Sequence, residues 1–159
     1  EWVAAELDFH TRGRRADEAL EVCKRLWTEA EVSHHGRFFS FDGVVFEPKP
    51  RQQPWPPILI GGESDAALRR AARHADGWIG MSHDFESGAG QIARLRELLT
   101  EAGRGHDPFQ ICLGGPVESQ ADVDRWEALG VTRLIVSPWR RSREARDGMR
   151  AFAQRLRVG

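Results

Sequence analysis

Residues 56–68 read Pro-Pro-Ile-Leu-Ile-Gly-Gly-Glu-Ser-Asp-Ala-Ala-Leu, and this stretch decides the fold predicted for the chain. The apolar run Ile58 to Ile60 is typical of a strand that is covered on both faces of a parallel sheet. The two glycines allow a tight backbone turn, and Ser64 is a suitable N-cap for the residues after it. The stretch therefore predicts a strand that passes through a glycine turn directly into a helix.

The start of such a helix is a favourable place for an anion. Its first backbone N–H groups lack acceptors within the helix, and the positive end of the helix dipole attracts a phosphate or a carboxylate. Gly61 and Gly62 would also let the backbone approach a ligand closely. An ordinary strand-to-helix turn, in which Ser64 only caps the helix, explains the same pattern. The local pattern alone leaves both interpretations open.

Further strands and helices follow this first pair in regular alternation. The helix that starts after Ser64 has an apolar face formed by Leu68, Ala71, Ala72 and Ala75. The apolar patterns beyond it predict strands at residues 76–81, 109–114 and 131–137, and helices at 88–102, 122–129 and 149–156. Such alternation with short links implies an α/β fold with a parallel sheet. The sheet is either an open, doubly wound one or part of a (β/α)8 barrel.

The N-terminal third of the chain has a different organisation. Apolar residues recur at helical spacing from Ala16 to Trp27, which predicts a helix. Two aromatic and β-branched runs between Gly36 and Pro50 flank Asp42-Gly43, which predicts a β-hairpin that turns at this dipeptide. Prolines then stiffen the link to the first buried strand. We expect a hairpin and Pro-rich insertion at about residues 33–57 within a single domain over residues 1–159.

The composition excludes several classes of partner. With 159 residues, 40% hydrophobic and 30% charged, the chain is long enough for one domain with a core of its own. A formal net charge of −1 and the absence of a long apolar run argue against nucleic acid and membrane partners. Cys23 and Cys112 are far apart and form no CxxC pair, and no signal peptide is evident. We therefore expect a reducing, cytoplasmic location.

Metal-dependent and hydrolytic chemistry have little support in the sequence. His34 and His35 are adjacent, so they would point to opposite faces of a strand, and no carboxylate or cysteine lies nearby at zinc spacing. The strings GxSxG, HExxH and Walker A do not occur. We expect no metal site and no hydrolase or nucleotide triphosphatase activity.

Four segments together carry a resemblance to a known family: residues 14–27, 36–50, 56–64 and 71–79. In this order they resemble the bacterial luciferase-like monooxygenase family, and most of all its branch of oxidoreductases that depend on the deazaflavin coenzyme F-420. The likeness is collinear from Glu1 to Leu156. It implies the C-terminal half of a (β/α)8 TIM barrel, strands 5 to 8, with a β-hairpin insertion. It further implies that the chain is a fragment that lacks the first four strands.

The resemblance also implies where a cofactor binds. Proteins of this family hold FMN or the deazaflavin coenzyme F-420 at the C-terminal mouth of the barrel, and the cofactor carries most of the chemistry. The turn after the first buried strand would contact the cofactor phosphate, and the next strand would line the adjacent wall. These expected cofactor-binding residues are Gly61, Gly62, Glu63, Ser64, Trp78, Ile79 and Gly80. For Trp78, packing within the barrel is an equally good interpretation.

Two residues after later strands are candidates for substrate binding. His83 follows the strand at 76–81, and Arg140 follows the last strand, so both would lie on the face where barrel enzymes keep their functional loops. Arg140 could hold an anionic group of the substrate or of the coenzyme tail. Solvated loop positions are the alternative for both. The missing strands would carry the catalytic acid or base, so we name none in this chain.

The leading hypothesis is thus a flavin- or deazaflavin-dependent oxidoreductase or monooxygenase that acts on a small molecule. The chain would work as a homo-oligomer or by pairing with the missing half of the barrel, and alone it would be inactive. Two alternatives stay open. One is a non-catalytic half-barrel or degenerate homologue that serves as a binding or assembly subunit. The other is a phosphosugar-type barrel isomerase or lyase that uses residues 61–64 for the phosphate of its substrate.

Overall fold

The computed structural model describes residues 8–156, which form parts of two compact units, Glu1–Ile58 and Leu59–Gly159. The predicted single domain over residues 1–159 stays a prediction. The first seven residues, where the likeness to the family begins, lie outside the described residues.

The first unit contains the predicted helix and hairpin. Helix α1 spans Arg12–Thr28, and strands β1 (Val32–His35) and β2 (Ser40–Val44) pair in antiparallel fashion. Val22 of α1 and Val32 of β1 are buried. The helix is confirmed and is longer than the apolar pattern alone indicates.

The hairpin turns at residues 36–39, so the prediction of a turn at Asp42-Gly43 is wrong. The N–H of Gly36 donates to the carbonyl of Phe39 at 2.9 Å, which closes the turn. Gly43 lies inside β2 with a φ of 59°, and its N–H donates to Ser33 Oγ. The dipeptide therefore supplies the positive φ that the sequence suggested, but it does so within a strand, beside an irregularity in the register.

A carboxylate explains why the chain turns where it does. Glu18 of α1 accepts hydrogen bonds from the backbone N–H groups of Arg37 at 3.1 Å, Phe38 at 3.0 Å and Phe39 at 2.8 Å. The His34 ring lies 3.2 Å from the same carboxylate. Burial raises the pKa of Glu18, but the hydrogen bonds from Phe38, Phe39 and His34 outweigh it, so the pKa is lowered overall. This tertiary contact fixes the turn.

The second unit alternates strands and helices as predicted. Its elements are β3 (Leu59–Gly61), α2 (Asp65–His74), β4 (Gly77–Ser82), α3 (Phe85–Glu101), β5 (Gln110–Gly114), α4 (Gln120–Ala128), β6 (Arg133–Ile135) and α5 (Ala145–Leu156). Helix α3 begins three residues before the predicted start because Asp84 caps it. Strand β6 is shorter than the predicted segment 131–137.

The four strands form one parallel sheet whose spatial order, β3-β4-β5-β6, equals their order along the chain. Right-handed crossovers that always advance in one direction bring the connecting helices to one face of the sheet. The core lies between that face and the helices, and its largest fully buried side chains include Trp78, Leu95, Leu113 and Trp126. The opposite face presents the apolar side chains of Ile79, Met81 and Ile135, which are exposed.

Candidate functional site

The turn between β3 and α2 has a conformation that only glycine adopts without strain. Gly62 has a φ of 117°, and a Cβ at this position would come within 2.9 Å of the Ala67 side chain. The Gly62 carbonyl accepts a hydrogen bond from the indole N–H of Trp78 at 2.9 Å. The turn is thus fixed both by its own backbone and by a side chain of the neighbouring strand.

Ser64 caps α2, as the sequence predicts. Its hydroxyl oxygen accepts from the N–H of Ala67 at 3.3 Å, and its carbonyl accepts from Ala67 and Leu68 at 2.8 and 3.0 Å. The backbone N–H groups of residues 63–66 have no hydrogen-bond acceptor within residues 8–156. Four donors at the positive end of a helix are therefore available to an anion from outside.

The acidic residue in the first turn of α2 does not occupy these donors. The Asp65 carboxylate binds the guanidinium groups of Arg94 and Arg69, at 2.7 Å in each case. These two hydrogen bonds, first that from Arg94, lower the pKa of Asp65. The negative charge next to the turn is thus compensated by two cations.

The Glu63 carboxylate contacts residues at the end of β4 and not the free N–H groups of the turn. One carboxylate oxygen accepts from the backbone N–H of Met81 at 2.6 Å, and the other lies 3.0 Å from Nε2 of His83. The contribution of Glu63 to an anion site can therefore come from its backbone, while its side chain joins the turn to the end of β4.

His83 uses both ring nitrogens within the protein. Its Nε2 pairs with Glu63, and its Nδ1 lies 3.3 Å from Ser87 Oγ, which in turn donates to Asp84 at 2.7 Å. The His83 side chain is only 11% exposed. The structure therefore brings His83 together with Glu63 and leaves little of the ring open to a substrate.

The three predicted wall residues on β4 divide between the two faces of the sheet. Successive side chains of a strand point to opposite faces. Trp78 is 0% exposed and belongs to the core on the helix side, and a Cβ at Gly80 would overlap its indole ring. Ile79 is 37% exposed on the opposite face. The packing interpretation therefore fits Trp78, for whose ring Gly80 leaves room, while the Ile79 side chain lies on the open face.

A cleft of about 660 Å³ lies on this open face, at the carboxyl ends of β4, β5 and β6. Ile79, Met81 and Ile135 give it an apolar lining, and Gly114 and Gly115 form part of its rim. Sequence reasoning missed Met81 and Ile135. Their alternation with core residues along each strand was the signal that could have found them.

Arg140 lies beside a second cleft of about 580 Å³ that is lined by Trp139 and Arg155 as well. Ser137 lines both clefts. The structure thus places Arg140 on the carboxyl side of β6, as predicted, but it does not bring it into contact with His83 or with the turn after β3.

The grouping of possible metal ligands and the polarity of the helices bear on the class of site. Residues 8–156 contain no cluster of three or more His, Cys, Asp or Glu side chains that could hold a metal ion. Over the same residues, every helix is too short or too polar to cross a bilayer.

Comparison with known proteins adds a family. The model for luciferase-like monooxygenases matches residues 1–155. An uncharacterised protein of Mycobacterium tuberculosis, Rv0940c, is 41% identical over 132 residues, which is 80% of this chain and 43% of the relative. The chain therefore spans less than half the length of this relative.

Two other relatives have names that state a cofactor. The FMNH(2)-dependent dimethylsulfone monooxygenase of Pseudomonas putida is 34% identical over 100 residues, 63% of this chain and 27% of the relative. The F420-dependent glucose-6-phosphate dehydrogenase of Segniliparus rotundus is 30% identical over 133 residues, 80% of this chain and 37% of the relative. Homologues of the chain thus use FMNH2 or coenzyme F420.

A solved structure supports the fold. An F420-dependent secondary alcohol dehydrogenase, in complex with an F420-acetone adduct, gives a TM-score of 0.74 at 13% sequence identity. The match covers 94% of this chain and 62% of that one. The α/β fold with its parallel sheet therefore resembles that of luciferase-like TIM-barrel proteins.

Proposed function

Because the chain belongs to the luciferase-like monooxygenase family, we propose that it forms strands 5 to 8 of a (β/α)8 barrel that acts as an FMN- or deazaflavin-dependent oxidoreductase. The observation that carries the proposal is the row of backbone N–H groups at residues 63–66, which have no acceptor within residues 8–156. They lie at a helix N-terminus on the carboxyl edge of a parallel sheet, where barrel enzymes bind phosphate. In this proposal they bind the phosphate of the cofactor, and the Ser64 hydroxyl assists.

The apolar cleft beside the turn suits the ring system of such a cofactor. Ile79, Met81 and Ile135 line it, and apolar side chains exclude water from a reacting ring. Trp78 acts from the helix side of the sheet, since its indole N–H holds the carbonyl of Gly62. Gly80 leaves room for the Trp78 ring on that side, and its backbone lines the cleft on the open face.

The open face and the sheet edges support the proposal of a half-barrel. Within the described residues, β3 and β6 each pair on one side only. Met81 is 70% exposed and Ile135 is 50% exposed, which is unusual for the apolar side chains of a parallel sheet. Four further strands would cover this face and both edges, and the greater length of the relatives allows for them. The acid or base of the reaction would then lie on those strands.

The chemistry in this proposal comes mostly from the cofactor, since a bound flavin or deazaflavin supplies hydride transfer, and a reduced flavin supplies oxygen chemistry. The chain has three tasks. Its N–H groups at residues 63–66 bind the phosphate, its open face shields the ring from water, and Arg140 binds an anionic group of the substrate or coenzyme tail from the carboxyl side of β6.

The test is cofactor binding by the chain alone and by the polypeptide extended with its upstream coding sequence. We expect the extended polypeptide to quench the fluorescence of FMN or of the deazaflavin at micromolar protein, because it would supply both walls of the pocket. Failure to bind either cofactor would overturn the proposal and would favour a non-catalytic assembly subunit. Binding of a sugar phosphate without either cofactor would favour a phosphosugar-type isomerase or lyase. A start codon directly before Glu1 would contradict the presence of the four further strands on the same polypeptide.

A further inference from the structure

Beyond the last paired residues of β3 and β4, a side chain accepts a backbone N–H of β4 that a longer β3 would otherwise have bound. The parallel register ends at Gly61 and Ile79, because the chain turns away at Gly62. Met81 is two residues beyond Ile79, so its N–H points toward the side on which β3 would have continued. Glu63 fills this position, and its carboxylate accepts the N–H of Met81 at 2.6 Å.

The second oxygen of Glu63 extends this connection to β5. It lies 3.0 Å from Nε2 of His83. The His83 backbone N–H donates to the carbonyl of Gly114 at 2.9 Å, and its ring is held from the other side by Ser87. Glu63 thus joins the turn after β3 to β4 directly and to β5 through His83.

The charge of Glu63 suits such a role better than direct contact with an anion. A carboxylate only accepts hydrogen bonds and would repel a phosphate. Both oxygens of Glu63 are instead engaged by an N–H group and a histidine ring, and the side chain is 33% exposed. Because the Glu63 side chain points away from the free N–H groups, its carboxylate does not occupy the donors that it helps to orient.

We propose that Glu63 and His83 are positioning residues, which hold the glycine turn so that the N–H groups of residues 63–66 are oriented for a phosphate before the ligand arrives. The inference rests on the proposed function for the identity of the phosphate, which belongs to FMN or to the deazaflavin. A site that is ordered in advance loses less conformational entropy on binding, so the pair acts on affinity for the phosphate group. His83 is then not a substrate ligand.

The experiment compares Glu63→Ala and Glu63→Gln with the control Glu127→Ala, an exposed carboxylate on α4, in the extended polypeptide. Affinity is measured for FMN and for riboflavin, which lacks the phosphate. We expect Glu63→Ala to weaken FMN binding about tenfold, which corresponds to about 1.4 kcal/mol. This is roughly the net contribution of one hydrogen bond. Riboflavin affinity should stay unchanged, and so should both affinities in Glu127→Ala. The FMN affinity of Glu63→Gln should lie between those of the wild type and Glu63→Ala, because the amide oxygen of glutamine can still accept the hydrogen bond from the Met81 N–H.

Equal loss of FMN and riboflavin affinity in Glu63→Ala would overturn the inference, since it would mark a general structural role. Unchanged FMN affinity would overturn it as well. If the wild-type polypeptide binds neither FMN nor the deazaflavin, the proposed function fails. The positioning role can then be tested separately, without a ligand. In that case hydrogen exchange of the Met81 amide should accelerate at least tenfold in Glu63→Ala and not in Glu127→Ala. Unchanged exchange would disprove the role.

Discussion

Two turns in this protein gather backbone N–H groups, and they differ in what those groups bind. In the first unit, the N–H groups of residues 37–39 donate to the carboxylate of Glu18. In the second unit, the N–H groups of residues 63–66 have no acceptor within residues 8–156. The first turn is closed by an anion of the chain itself and is structural. The second leaves its donors available to an anion from elsewhere.

Helices α3 and α4, which follow β4 and β5, extend this comparison. Asp84 caps α3 and accepts from the N–H of Ser87 at 2.8 Å. Asp122 of α4 accepts from the N–H groups of Glu118 and Ser119 at 2.8 and 2.9 Å. These N–H groups lower the pKa of both aspartates, as expected for carboxylates at helix N-termini. Helix α2 has a serine cap like that of α4, but its first-turn acid, Asp65, binds Arg69 and Arg94 and accepts no backbone N–H group within residues 8–156.

The largest effect that we expect concerns the support of the open turn. Trp78→Ala should destabilise the second unit by about 3–5 kcal/mol, since it empties a fully buried site. Trp78→Phe keeps an aromatic ring but removes the donor to the Gly62 carbonyl, and should cost about 1 kcal/mol. Urea unfolding of both variants measures these costs. A Trp78→Phe variant as unstable as Trp78→Ala would show that the turn depends on the hydrogen bond more than on packing.

A proline at the start of α2 tests the free donors directly. Asp65→Pro removes one N–H group, and the helix should persist because Ser64 has an extended backbone with a ψ of 149° and proline is favoured at the first helical position. Asp65→Ala is the matched control, because it loses the same ion pairs but keeps the N–H. We expect about tenfold weaker FMN or deazaflavin binding in Asp65→Pro than in Asp65→Ala, as the loss of one charge-assisted hydrogen bond implies.

Equal affinities of these two variants would mean that the N–H of residue 65 does not contact the phosphate. The second turn would then resemble the first, with donors that serve only the local structure. Fluorescence titration of both variants decides between the two outcomes, and circular dichroism confirms that α2 is retained.

Local patterns were enough to predict the order of the elements and the cap of α2. The apolar run at residues 58–60, the glycines and Ser64 act within a few neighbours along the chain, and the structure has β3 and α2 where the sequence indicates. The turn of the hairpin could not be predicted in this way. The favourable Asp42-Gly43 dipeptide competes with Glu18, whose contacts to Phe38 and Phe39 span 20 and 21 residues.

The candidate site shows the same limit. Glu63 stands beside two glycines and a capping serine, so its position in the sequence suggested contact with a ligand. Its partners, Met81 and His83, are 18 and 20 residues away, and only the pairing of β3 with β4 brings them close. The face on which Trp78 lies depends likewise on the register of the strand. Side-chain direction beyond a strand end is therefore a tertiary property, which a local motif does not determine.

The closed turn should respond to pH through the carboxylate of Glu18. Burial raises the pKa of Glu18, but the hydrogen bonds from Phe38, Phe39 and His34 lower it below the ordinary value of 4.5 overall. The unfolded chain thus binds a proton at higher pH than the folded one, so the contribution of Glu18 to stability is complete above about pH 4.5 and is lost as the pH falls through the lower, folded pKa. Protection of the Phe38 and Phe39 amides from hydrogen exchange should fall over the same range.

Glu18→Gln is the control for this titration, because glutamine keeps one oxygen acceptor and carries no titrating charge. Its amides at Phe38 and Phe39 should be less protected than in the wild type above pH 4.5, and their protection factors should not change with pH through Glu18. Wild-type protection that stays constant on acidification would contradict the assignment of Glu18 as the anion that closes the first turn. The turn at residues 37–39 would then differ from the turn at residues 63–66 in geometry but not through the charge of a bound carboxylate.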